Sequence, residues 1–296
     1  MADSLKLVHL FYNPICMHSA CARLSRYDPR MDGGRSMGTL SGDFYSRSLR
    51  VTQHVNIIIP DTSEDFWTVI DDELRVLYLL HGLGSNADEW VRFSMIEAYA
   101  KIYDLAVIMP DGNRSFYQNM GTGPRYFDWI AYELPSIVHE WLRLPQDREH
   151  TFIAGESMGG YGALRIALER PDAFAGCAAL SSVTDPQMIG REFPDLMWGM
   201  RELEAIFGEG GPTEKDSIIS YARDAVKAWG ADAMPRIMQV VGDDDPFKPS
   251  VKALAEELGE LGLDSSFESW PGRHDFMFWN GAIERALRSF CGLSQE

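Results

Sequence analysis

The chain is poor in cysteine and in positive charge and has no long apolar run, and each shortage excludes a class of function. Its 296 residues hold 27 Lys or Arg against 44 Asp or Glu, a net charge of −17. So acidic a surface repels phosphate polymers and anionic lipid, so neither nucleic acid nor a membrane is expected as a partner. An acidic small molecule is disfavoured too, unless its pocket carries cations of its own. No stretch reaches the roughly 18 apolar residues that cross a bilayer. The four cysteines, Cys16, Cys21, Cys177 and Cys291, form no disulfide framework, which points to a reducing cytoplasm. Cys177 sits in an apolar run and reads as a small core residue. Cys16, His18 and Cys21 are of metal-ligating types, but no second ligand pair at suitable spacing follows, so no metal is expected.

What remains suits one large α/β domain. Hydrophobic content of 45% and charged content of 24% are ordinary for a globular chain long enough to bury a substantial core. Residues 1–37 stand apart. Their apolar stretch at 5–11 is short, with neither the basic flank nor the cleavage site of a secretory signal, and residues 23–38 are rich in Arg, Asp, Gly and Ser. This leader is expected to be disordered, or to reflect a start at Met1 in place of Met37, with the domain proper over 38–296. Strands are expected over 44–51, 53–60, 75–80, 105–109, the run from Thr151, 174–180, 236–241 and 265–269. Helices are expected over 87–103, 126–142 with a kink or restart at Pro135, the stretch after Ser157, 249–261 and 275–290. Residues 185–230 read as a variable, cap-like insertion. Alternating strands and helices predict a mostly parallel sheet covered on both faces. Functional groups in such sheets gather at the carboxyl ends of strands, and each notable loop here, 81–86, 110–125, 155–158, 182–230, 242–248 and 271–275, follows a strand.

The strongest motif is Gly155-Glu156-Ser157-Met158-Gly159, between a strand and a helix. A strand that turns abruptly into a helix at serine exposes its Oγ on a strained corner above a helix N-terminus. The competing reading is a glycine-rich turn in which Ser157 merely caps the helix. A hydroxyl needs an imidazole to take its proton. Of seven histidines, His9 and His18 lie in the leader, His54 in an early strand, His139 inside a helix and His150 just before the Ser157 strand; His81 adjoins glycine and reads as shaping a loop. His274, between the last strand and the last helix, stands where the order Ser…Asp…His puts the base. The acid falls in Asp243-Asp244-Asp245. Asp245 is preferred because Gly-x-x-Asp leaves a turn for the carboxylate to reach back; Asp244 comes next, and Asp243 is close to the strand end. An oxyanion needs two amide donors: Met158 supplies one, and Leu83 or Gly82 of His81-Gly82-Leu83-Gly84 the other.

Leu79-Leu80-His81-Gly82, the segment 152–163 around Ser157, Glu133-Leu134-Pro135, Gly242-Asp243-Asp244-Asp245 and Gly272-Arg273-His274 together resemble the putative esterase family. That family takes in tributyrin esterases, S-formylglutathione hydrolases, and feruloyl and acetyl-xylan esterases. The likeness runs over about residues 42–292 and implies an α/β-hydrolase fold and a cofactor-free carboxylesterase. Carried over, it implies Ser157 as nucleophile, Asp245 as acid and His274 as base. Pro246 departs from the pattern, standing where an aromatic or aliphatic residue is more familiar, and residues 1–36 have no counterpart.

The expected substrate is a small ester, of the short-chain kind that tributyrin esterases cut. Trp90, Phe116, Tyr117, Trp129, Met197 and Trp198 are candidates for its pocket, though most suit general packing. S-formylglutathione would need cations for its carboxylates, and Arg114 and Arg125 are the local candidates. A hydrolase-fold binding protein would usually have lost a triad member, and none is missing here. Self-association is left open. If the leader is dispensable, deleting residues 1–36 leaves esterase activity and melting temperature nearly unchanged, as assay and calorimetry of the shortened chain will show.

Overall fold

Apolar and β-branched runs become the strands of a single sheet in the computed structural model, which describes residues 37–60 and 74–292. Residues 1–36, with Cys16, His18 and Cys21, lie outside the described residues. The strands are β1 Met37–Ser46, β2 Val51–Pro60, β3 Arg75–Leu80, β4 Leu105–Pro110, β5 Thr151–Glu156, β6 Gly176–Leu180, β7 Arg236–Gly242 and β8 Ser265–Trp270. They lie in the order β1-β2-β4-β3-β5-β6-β7-β8. The β1–β2 hairpin and its seam with β4 are antiparallel, and every other pairing is parallel. The expected sheet is therefore found. Its inner strands β4, β5 and β6 are buried at every residue because helices cover both faces. On one face Leu164 and Leu168 pack with Ala222, Val251 and Leu254; on the other Trp90 and Ile96 pack with Trp279, Ile283 and Leu287.

Two local expectations need correction, and a third is met. The first hairpin turns at residues 47–50, earlier than the sequence pattern suggests. A distant carboxylate organises this turn: Glu133 accepts from the amides of Arg47 (2.6 Å) and Ser48 (3.0 Å) and from the Ser46 hydroxyl (2.8 Å). The helix expected over 87–103 is two, α1 Glu89–Phe93 and α2 Ile96–Ile102. Side chains take the backbone groups that would have joined them: Ser94 Oγ donates to Trp90 O and accepts from Ile96 N–H, while Asn280 accepts from Met95 N–H. The segment 126–142 is helical throughout, as α3 Tyr126–Asp128, a π-helical turn Trp129–Glu133, and α4 Leu134–Leu142. Pro135 has no N–H for the carbonyl of Ala131, which accepts from Arg170 Nη1 instead at 2.8 Å.

The remaining long helices are α5 Met158–Glu169, α6 Pro186–Glu192, α7 Met200–Phe207, α8 Ile218–Trp229, α9 Lys248–Glu260 and α10 Phe276–Cys291. From β3 the chain runs to β4 on one side and returns through β5 on the other. The carboxyl ends of β3 and β5 thus flank a topological switch point, where a crevice opens. Two glycines let α5 close down on this point. A Cβ on Gly155 would lie 2.4 Å from the Gly159 carbonyl carbon, and one on Gly159 would lie 2.4 Å from the Leu80 carbonyl oxygen. Backbone cannot yield as a flexible side chain can. Gly159→Ala is expected to lower stability by at least the ~1–3 kcal/mol typical of overpacking, read as a fall in the chemical-denaturation midpoint.

Candidate active site

Ser157 sits between the last residue of β5 and the first of α5 with φ 56° and ψ −115°. A non-glycine residue there stores about 1–3 kcal/mol of strain. The corner is held by its own backbone. Ser157 N–H donates to Leu180 O at 2.8 Å, and its carbonyl accepts from the amides of Tyr161 and Val183, each at 3.2 Å. The side chain makes no helix-capping bond, so the capping reading falls. Its Oγ lies 3.1 Å from His274 Nε2 instead.

His274 Nδ1 lies 2.9 Å from Asp245 Oδ2, so the structure brings the three expected residues into one chain of hydrogen bonds. With the carboxylate accepting from Nδ1–H, Nε2 is left to accept from the serine hydroxyl. The imidazole is gripped edge-to-face by Phe247 and Trp279, both with ring centroids 4.9 Å away. Asp245 is buried, whereas Asp243 and Asp244 are exposed and Asp243 pairs with Lys248 at 2.8 Å. The other oxygen of Asp245 accepts from Phe247 N–H at 2.9 Å. Pro246, which departs from the family pattern, has no N–H and leaves that bond to the next residue. Burial alone would raise the Asp245 pKa, but the bonds from His274, Ser181 and Phe247 outweigh it and hold the carboxyl below its usual range. Ser181 Oγ in turn accepts from Trp279 Nε1 at 3.0 Å. The sequence reading missed both Ser181 and Trp279. Ser181 follows β6 as Ser157 follows β5, a usable signal, but the pairing with Trp279 spans 98 residues and exists only in space.

The loop after β3 is pinned atom by atom. Leu80 O accepts from Trp90 Nε1 (3.1 Å), His81 O from the Tyr117 hydroxyl (2.9 Å), and Gly82 O from His81 Nδ1 (2.8 Å). His81 Nε2 accepts from Gly112 N–H at 2.9 Å, which puts the ring's proton on Nδ1. His81 shapes this loop, as expected. Leu83 and Met158, the expected oxyanion donors, both line the cavity of about 440 Å³ that surrounds Ser157 and His274.

Of the residues proposed for the pocket, Phe116 and Trp198 line this cavity. Trp90, Tyr117 and Trp129 are fully buried core, and Met197 is buried as well. Val183, Ile189 and Leu196 supply the other apolar wall, so part of the segment 185–230 borders the site. Arg114 is not a free cation: Glu202 holds it through Nε (2.6 Å) and Nη2 (3.1 Å), and it lies 5.0 Å over the Trp198 ring. Arg125 pairs with Asp128 and is not in the lining. The unpaired charges of the lining are acidic, from Glu89 and Asp195. A larger groove of about 790 Å³ beside Tyr45 and Trp141 holds no histidine. No group of three or more His, Cys, Asp or Glu placed to hold a metal occurs among the described residues.

The chain is similar to known proteins over most of its length. The model of a family described as "Putative esterase" matches residues 46–290. An acetyl esterase of Caldicellulosiruptor saccharolyticus is 30% identical over 263 residues, covering 85% of this chain and 97% of that protein. The substrate-bound structure of fluorophosphonate-binding serine hydrolase F of Staphylococcus aureus is 32% identical with a TM-score of 0.79, covering 86% of this chain and 98% of its own. An S-formylglutathione hydrolase from the same organism is 31% identical with a TM-score of 0.74, covering 87% and 98%. These neighbours have the α/β-hydrolase fold, and so has this chain.

A carboxylate held below its usual pKa adds stability that is complete above the unfolded-state value and is lost as the pH falls through the folded-state value. The melting-temperature advantage of the unaltered protein over Asp245→Asn is therefore expected to shrink as the buffer is taken from about pH 6 to about pH 3. An advantage that does not change over that range would contradict the assignment of Asp245 as a stabilising carboxylate.

Proposed function

The chain belongs to the putative esterase family and is a carboxylesterase, and from that premise we propose that Ser157, His274 and Asp245 carry two-step acyl transfer on short acyl esters of uncharged alcohols. The observation that carries the reading is the continuous relay from Ser157 Oγ through His274 to Asp245, with links of 3.1 and 2.9 Å. Ser157 Oγ bonds to the ester carbonyl carbon while its proton passes to His274 Nε2. The charge on the carbonyl oxygen is met by the amides of Leu83 and Met158. Collapse expels the alcohol, which takes the proton from His274. Water then repeats the cycle on the acyl-enzyme and releases the acid.

The electrostatics of the cavity favour the uncharged alcohol. Its one arginine is spent on Glu202, and Glu89 and Asp195 would oppose the carboxylates of a glutathione thioester. The acetyl esterase relative supports a short acyl group. Among the described residues no helix is long and apolar enough to cross a membrane. The free thiols of Cys177 and Cys291 suit a reducing compartment, and we assign the enzyme to the cytoplasm.

A fluorophosphonate is expected to add to Ser157, located by peptide mass spectrometry. Ser157→Ala should cost about six orders of magnitude in kcat and Asp245→Asn about four. Acetyl and butyryl esters of neutral alcohols should exceed S-formylglutathione in kcat/KM by at least about tenfold. A reversed preference would overturn the substrate class, and an adduct elsewhere would overturn the nucleophile.

A further inference from the structure

Two residues of the cavity wall have little packing of their own. Leu196 and Trp198 line the cavity around Ser157, yet they are 49% and 82% exposed. Between them Met197 is buried against the core, which fixes this segment at one point and leaves its neighbours to be held by other means. Gly199 follows with φ 90°, and α7 begins at Met200. The holding is done by Arg114, from the loop after β4. Its Nη2 donates to Leu196 O at 2.7 Å and to Glu202 Oε2 at 3.1 Å, and its Nε donates to Glu202 Oε1 at 2.6 Å. Its guanidinium lies 5.0 Å over the Trp198 ring. Glu202, in the first turn of α7, accepts from Trp198 N–H at 2.7 Å through the same Oε2. Backbone and ring of the wall thus meet one ion pair, whose side chains are only 21% and 11% exposed. A forked, partly buried pair holds its geometry as a single-contact surface pair does not. The Arg114 end is itself stiff. Ser115 Oγ donates to Gly112 O at 2.6 Å and accepts from Tyr117 N–H at 3.0 Å.

We propose that Arg114 and Glu202 latch the wall made by Leu196 and Trp198, and that this latch sets how long an ester the cavity accepts. The proposal rests on the acyl-transfer reading above and adds a limit on substrate size to it. A side chain that is half or more exposed gains little from packing. Without the ion pair, Leu196 and Trp198 would turn about Met197 and Gly199 toward solvent and open the cavity on that side. The facing wall cannot retreat in the same way, because Phe116, Val183 and Ile189 are buried. Neither residue of the latch takes part in the relay from Ser157 to Asp245, so the latch acts on which ester fits and not on the transfer itself.

The test compares Arg114→Met, Glu202→Gln and the double variant with the unaltered protein, all as the full chain and with thermal melts to check folding. Both kcat and KM are measured on 4-nitrophenyl esters from acetyl to octanoyl and on acetates from ethyl to octyl. The two series lengthen the acyl and the alcohol side in turn. In one of them the long-to-short ratio of kcat/KM should rise at least about tenfold in both single variants, chiefly through a lower KM for the long ester. The double variant should do little more than the larger single one, because the two side chains act as one device. Trp198→Ala removes the wall itself at an exposed position and should widen the same series. If Arg114→Met does not fold, Glu202→Gln and Trp198→Ala decide the matter. Unchanged ratios in both series, widening in Trp198→Ala alone, or single effects that add in full would overturn the proposal. Fluorophosphonate labelling of Ser157 in the unaltered protein tests the acyl-transfer reading separately, so failure of one is not mistaken for failure of the other.

Discussion

The constraint on which the site depends is a contact of backbone with backbone. The first turn of α5 lies directly on the ends of β3 and β5, and no side chain fits between them. Because α5 is so close, Ser157 must turn through a conformation that other residues avoid, and its hydroxyl is left facing His274 and not the helix end. The same closeness brings Gly159 against the loop that carries the proposed second amide donor. The proposed nucleophile and the proposed oxyanion donors are thus placed by one packing event, and an error of a few tenths of an ångström there would be felt by all of them.

Around that contact the polar groups are almost fully committed. Asp245 answers to His274 and Phe247; Ser181 answers to Trp279; Arg114 answers to Glu202 and stacks on Trp198. Each bond made inside the protein removes an option for the substrate. An arginine that already holds a carboxylate in two places has little to offer a second one. On the proposed reading the cavity would select by shape and apolar contact, with acidic groups at its margin.

Much of this was legible in the sequence because chain order carries it. Strand, elbow and late histidine recur in a fixed succession, and the spacing of Asp245 from its strand separated it from its two neighbours. The topology followed from the alternation of apolar strands and amphipathic helices. What escaped was held by bonds between distant segments. The first hairpin turns where Glu133 holds it, and a local pattern cannot register a carboxylate 85 or more residues away. The helix expected over 87–103 breaks because Ser94 and Asn280 compete for its backbone. Trp90 and Trp129 look like pocket aromatics by composition, and only packing shows them to be core.

Glu133 has a consequence outside catalysis. It ties the β1–β2 hairpin to the middle of a long helical segment, and β1 is an edge strand of the sheet. An edge offers its unpaired amides and carbonyls to any strand that meets it, and a hairpin free to fray would offer the inner ladder as well. By closing the turn, a single carboxylate ties the margin of the sheet to its body through three hydrogen bonds. The glutamate of the Glu-Leu-Pro segment thus anchors the outermost hairpin of the sheet to the helical segment that covers it.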